Sequence, residues 1–231
     1  VDDVWNNFDL VVRAFGMTVG LFLAAGIASL AVGLPLAAMR VGPVAVMRRA
    51  AATYVTLVRN TPLLMVFIFV VIALPRIDIT FKSIESFQED AFGQVFISAY
   101  FFRATLALSL YTSTFVCEAV RSGINSVPLG QAEAARAVGL TFGGTMTQVV
   151  LPQALRATVP PLTSVLIALL KNTSVAAAFG IIEAAARMKY FNNRTTEDVQ
   201  VFLLFALVYV LLVEVVSAAS LVLERRWKAA R

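Results

Sequence analysis

Lys171, Asn172, Thr173 and Ser174 stand together inside a long apolar stretch, and such a cluster offers charge and hydrogen bonds rather than a nucleophile. A charge deep in a bilayer costs on the order of 3 kcal/mol or more, so by default it marks a site. If a helix runs from about Val159 to Ala178, Lys171 lies about 18 Å from one boundary and about 10 Å from the other. Arg59, in the run RNTP, is a second such group roughly 10 Å inside the membrane. It either joins a pathway or snorkels out to the interface. Bond-breaking chemistry finds little to work with. The chain has no histidine and one cysteine, Cys117, which removes Cys/His zinc sets, His-dependent acid/base pairs and an internal disulfide framework. Ser, Thr and Glu are scattered without a nucleophile and base, so no catalytic residue and no metal site is expected. No GxxxxGK[ST] run occurs, so ATP is not expected to bind this chain through a P-loop.

The elements that position these groups are membrane helices. With 59% hydrophobic and 14% charged residues and a mean hydropathy of +0.82, a soluble domain of 231 residues would lack polar surface to cover itself. The reading is an all-α, polytopic membrane protein forming a single domain over 1–231, with five spans at about 14–38, 50–74, 96–120, 159–178 and 199–223. Gly16 and Gly20 in the first span have GxxxG spacing, which predicts close helix packing. Pro62 should kink the second. Residues 75–95 mix Lys82, Glu85 and Glu89 with Phe81, Ile84 and Phe87 at helical spacing, as an external amphipathic segment would. Glu118 and Arg121, three apart, should pair. Pro160 and Pro161 fit the first turn of the fourth span.

The pI near 9.7 comes from basic residues at span ends rather than on one face, so nucleic acid is not the expected partner. Arg40, Arg48, Arg49, Arg121, Arg136, Arg156, Arg225 and Arg226 fall on one side, and most acids, including Asp2, Asp3, Asp9, Glu183 and Asp198, on the other. The positive-inside rule puts the N-terminus outside and the C-terminus in the cytoplasm.

Between the third and fourth spans the loop 121–157 is polar and alanine-rich. Gln131 to Val138 is built of good helix formers, with Glu133 and Arg136 three apart and Gly139 where a helix stops. Small Ala132, Ala134, Ala135 and Ala137 would let a soluble partner grip this short helix closely; the alternative is a surface helix with no partner. Glu133-Ala134-Ala135, then Gly139, Val149, Leu151 and Pro152, resemble the EAA motif of ABC importer permeases, with Val149 in place of the family's isoleucine. RSGINSVPLGQAEAARAVGL, LPQALRATVPPL, KNTS and RNTPLL are similar to the membrane-spanning permease subunits of bacterial importers for polar amino acids, of the histidine, glutamine and glutamate type. The resemblance covers about Thr18 to the end.

That resemblance implies a type I ABC importer permease in the bacterial cytoplasmic membrane. It implies ATPase coupling through Gly130, Gln131, Glu133, Ala134, Ala135 and Gly139, and a pathway of Lys171, Asn172, Thr173, Ser174 and Arg59 that receives a substrate carboxylate. Implied partners are two ATP-binding subunits holding ATP and Mg, a second permease subunit (the same chain or a sister), an external solute-binding protein, the amino acid and lipid. This chain itself carries no cofactor. Many relatives read KDTS where Asn172 stands here, so a carboxylate beside Lys171 is missing, and Arg59, Arg103 and Lys171 outnumber Glu118 and Glu214 within the spans. Both lean toward an acidic amino acid such as glutamate. Lys171 could instead pair with Glu214, but span-end counting puts Glu214 about 22 Å from the outer boundary, too deep to reach it. The alternative function is an ion-coupled secondary transporter, which would show internal repeats; none is evident by inspection. An intramembrane enzyme is disfavoured by the missing catalytic set.

Overall fold

The computed structural model describes residues 2–80, 99–194 and 198–229, and every regular element among them is helical. In chain order these are α1 (Asp2–Asn6), α2 (Phe8–Val41), α3 (Ala45–Arg59), α4 (Leu63–Arg76), α5 (Ala99–Asn125), α6 (Leu129–Ala137), α7 (Phe142–Phe179), α8 (Ala184–Asn192) and α9 (Asp198–Ala229). By length and composition, α2, α7 and the stretch Val199–Val222 of α9 can each cross a membrane, and α3 with α4 form a bent pair that passes the same test together.

α2 is longer than the expected 14–38 at both ends. Its buried side chains, Val11, Ala14, Thr18, Leu21, Ala25, Ser29, Gly33 and Ala37, recur every three or four residues, making one seam of mostly small groups. Small side chains let two backbones approach, and α5 lies against this seam. Of the α2 glycines described, Gly33 has the least room: a Cβ there would sit 2.6 Å from Val116 Cγ1 and 2.9 Å from the Ser113 carbonyl. The GxxxG expectation therefore moves along the helix. Gly16 is exposed, and a Cβ on Gly20 would meet only the Phe101 ring at an ordinary 3.8 Å.

The single span expected at 50–74 is two helices bent by 107°. A proline disfavours helical geometry at the residue before it and supplies no amide proton, so α3 stops at Arg59 and Pro62, at ψ 137°, starts α4 afresh. This is a break rather than the expected kink. The middle of α4, Ile68–Ala73, is wound as a π-helix. Of the expected amphipathic segment 75–95, residues 81–95 lie outside the described residues.

α5 has the length of a span but too many hydroxyls for a lipid-facing one. It is the central helix: Ser109, Thr112, Ser113 and Thr114 are buried against neighbours rather than in lipid. Ser113 donates to the Leu110 carbonyl (2.8 Å) and Thr114 to the Tyr111 carbonyl (2.7 Å), so each hydroxyl is satisfied within its own helix. The core cluster joins Leu21 and Ala25 of α2, Phe67 and Val70 of α4, Ala104 and Leu108 of α5, and Leu169 of α7.

The largest departure is α7. The loop expected to run to 157 ends at Thr141, whose hydroxyl caps the new helix by accepting from Gly144 N (3.2 Å). The helix then continues for 38 residues. Pro160 and Pro161 lie well inside it rather than in its first turn.

Candidate functional site

The end of the bundle that carries the basic residues holds α6. The helix begins at Leu129, directly after Pro128, two residues before the expected start. Its stop is as expected at Gly139, which takes φ +94°, a conformation open to glycine at little cost. Leu140 N donates to the Ala135 carbonyl (3.1 Å) and Gly139 N to the Arg136 carbonyl (3.0 Å), closing the last turn. Gly130, Gln131, Glu133, Ala134 and Gly139 are exposed, and Ala135 is buried as the helix's inward contact. Gln131 accepts a hydrogen bond from the Gln153 side chain of α7, which ties α6 to the start of that long helix.

Sequence reasoning missed a second feature of this end. Leu129, Val138 and Phe142 are 80%, 81% and 68% exposed. Leu129 opens α6, Val138 is its C-cap and Phe142 begins α7, and three apolar residues at the ends of a polar helix were the available signal.

The expected Glu118–Arg121 pair forms at 3.3 Å, and Arg40 of α2 also binds Glu118. Arg40 was assigned only to topology, because counting along one helix cannot show a partner on another.

The KNTS residues do not form one site. Successive residues of an α-helix point about 100° apart, so the cluster fans out. Lys171 and Ser174 line a cavity of about 440 Å³ with Tyr209, Val210, Val213 and Glu214. Asn172 lines a different cavity, of about 320 Å³, between α5 and α7, with Tyr111, Thr112, Phe115, Ser164 and others. Thr173 faces neither; it is buried, and its hydroxyl donates to the Leu170 carbonyl (2.7 Å). Arg59 is exposed at the end of α3, its guanidinium 5.7 Å from the Phe115 ring centroid. The fold thus brings Arg59 and Asn172 toward one cavity, and Lys171 and Ser174 to the other.

The depth argument separating Lys171 from Glu214 does not hold, since both line one cavity. The expected depths take the end of the fourth span and the start of the fifth to lie at one level. Glu183, just beyond the end of α7, accepts from the hydroxyl of Tyr209 (3.1 Å), which is already about 16 Å along α9. The last helix therefore projects well past the end of α7, and depths counted from its start are too large.

Glu183 is fully buried and joins three helices. Its carboxylate accepts from Ala185 N (2.9 Å) and Ala186 N (3.0 Å), capping α8, and from Tyr209 of α9, while Thr18 of α2 lies 3.5 Å away. Thr18 in turn accepts from Ala184 N (3.1 Å). Burial pushes the Glu183 carboxyl above its ordinary range, opposed by those donors. Glu183→Ala strands the amides and the phenol and is expected to cost about 2–3 kcal/mol, with Glu183→Gln falling between it and wild type. Thermal unfolding in detergent measures both, and an Ala variant as stable as wild type would remove Glu183 from the fold's supports.

Comparison with known proteins supplies the rest. Residues 16–229 match a family model described as the inner membrane component of binding-protein-dependent transport systems. The chain is 40% identical over 201 residues to the glutamate transport system permease protein GluC of Corynebacterium glutamicum, covering 86% of each. It is 32% identical over 228 residues to the glutamate/aspartate import permease protein GltJ of Escherichia coli K12, covering 96% of this chain and 86% of that one. Among solved structures, an amino acid ABC transporter crystallised with histidines superposes with a TM-score of 0.82 at 24% identity, covering 97% of both chains.

Proposed function

The chain belongs to the family of inner membrane components of binding-protein-dependent transport systems, and from that premise we propose that it is the permease subunit of an ATP-driven importer of a polar amino acid, of the glutamate type. The observation that carries the coupling half of this reading is α6: a short helix, stopped at Gly139, with exposed polar and apolar side chains and a tether through Gln131 to α7. Such a helix offers a motor protein something to hold, and what it is tied to is the helix that bears Lys171.

In this reading two separate ATPase subunits hydrolyse Mg-ATP and grip Gly130, Gln131, Glu133, Ala134, Ala135 and Gly139. A second permease subunit completes the pathway and an external binding protein delivers the substrate. Closure of the ATPases biases a two-state rearrangement of the helices, with the differential free energy coming from the partners. The glutamate assignment rests on the two relatives named for glutamate, and on the excess of Arg59, Arg103 and Lys171 over Glu118 and Glu214 within the expected spans. Arg59 and Asn172 toward one cavity, and Lys171 and Ser174 beside the other, are the groups proposed to receive the substrate as it passes, while buried Thr173, which lines neither, is left a structural role.

The test is purification with neighbouring gene products in mild detergent and reconstitution into liposomes. An ATP-hydrolysing chain should co-purify, and uptake of L-glutamate should require ATP inside and binding protein outside. Uptake that persists without the ATPase and follows membrane potential instead would replace this reading with ion-coupled transport.

A further inference from the structure

Lys171 and Glu214 line the same cavity, carry opposite charges and are both exposed to it. Among the described residues, neither is in an ion pair. Glu214 lies within Val199–Val222, the apolar stretch of α9, so both charges belong to the region of the chain where an uncompensated charge is expensive. Two opposite charges that share a cavity without closing on each other leave room for something that answers both.

We infer that Glu214 takes the α-ammonium of the transported amino acid while Lys171 takes its α-carboxylate, making this cavity a reader of the zwitterionic end common to amino acids. The inference rests on the proposed amino acid cargo and adds Glu214, a residue to which sequence reasoning gave no role in the pathway. Its supports are chemical and geometric. At about 440 Å³ the cavity lies within the range of about 300–1,000 Å³ found for small-molecule sites. Ser174 and Tyr209 add hydroxyl-bearing side chains to the same lining, and Val210 and Val213 supply an apolar wall. Tyr209 is a fixed wall: its hydroxyl is held from behind by buried Glu183 (3.1 Å), which itself caps α8. A dianion of the same length without the ammonium would leave Glu214 facing a like charge, and should be rejected.

The assay uses the purified permease–ATPase complex in detergent without binding protein, with L-glutamate and glutarate, its counterpart lacking the ammonium, as probes read by calorimetry. Wild type should bind L-glutamate at least tenfold more tightly than glutarate. Glu214→Gln should weaken L-glutamate at least tenfold and leave glutarate no weaker, so that the two converge. Lys171→Gln should weaken both alike. Unchanged L-glutamate binding in Glu214→Gln overturns the inference. So does recovery of wild-type affinity in the double variant Lys171→Met/Glu214→Leu, which would make the two residues a structural pair. Dissociation of the Glu214→Gln complex on gel filtration also overturns it, by assigning the cavity to a subunit interface. A wild-type complex that binds neither probe, and whose ATPase no amino acid stimulates, would instead refute the amino acid cargo itself.

Discussion

Replacing Leu129, Val138 and Phe142 together with aspartate is expected to strip the ATPase subunits from the permease while leaving the permease folded. All three side chains are mostly exposed in this chain, at 80%, 81% and 68%, so the folded monomer has little to lose. An interface has much to lose. Apolar side chains that become desolvated at the centre of a contact cost about 2 kcal/mol or more each on truncation, or about 30-fold in affinity, and a buried carboxylate costs further. Even with strong non-additivity the triple variant should bind its motor at least 100-fold more weakly. Co-elution from an affinity column measures the contact, and thermal unfolding confirms the fold. Stoichiometric co-elution with normal coupled uptake would mean that α6 and its flanks are an ordinary surface.

The second large effect belongs to Gly33→Leu. The glycine has no room for a side chain between α2 and α5: even a single Cβ there would lie 2.6 Å from Val116 Cγ1 and 2.9 Å from the Ser113 carbonyl. A side chain can turn aside, but a backbone carbonyl cannot move without its helix. The substitution must therefore wedge open a pair of helices that pack along most of their length. A cost at or above the usual overpacking range of about 1–3 kcal/mol is expected, with a fall of several degrees in the unfolding midpoint and a poor yield of folded protein. Gly20→Ala is the matched control, because its Cβ meets only a movable ring at 3.8 Å. It should be neutral or slightly stabilising, since alanine is the better helix former. Equal behaviour of the two variants would show that the seam is looser than its geometry implies.

Local signals were legible in the sequence, and relations between helices were not. The stop at Gly139 follows from what a helix end requires, and φ +94° is that requirement met. Glu118 and Arg121 share a helix face by spacing alone, and they pair. Pro160 and Pro161 misled because proline is commonest in a first turn, whereas α7 carries both inside its length and begins at a threonine cap far upstream. The membership of Lys171 and Glu214 in one cavity was hidden for a different reason. Depth counted from the outer boundary presumes that one helix ends where the next begins, and the contact between Glu183 and Tyr209 shows how far α9 overshoots that plane. α5 passes for an indifferent span on hydropathy, since its hydroxyls make sense only once its neighbours are known.

α7 runs from the α6 end of the molecule through the KNTS residues to Phe179, 38 residues in all, with a π-helical turn at Met146–Val150, α-helix over Leu151–Asn172 and a 3-10 segment at Thr173–Phe179. Its two prolines fall near the middle, where each removes a backbone hydrogen bond. A helix of this kind is expected to bend at its midpoint, where its hydrogen-bond ladder is weakest. Under the proposed coupling, a push of a few ångströms on the Gln153 arm is expected to swing Lys171 about Pro160 and Pro161, and replacing both prolines with alanine is expected to reduce that swing.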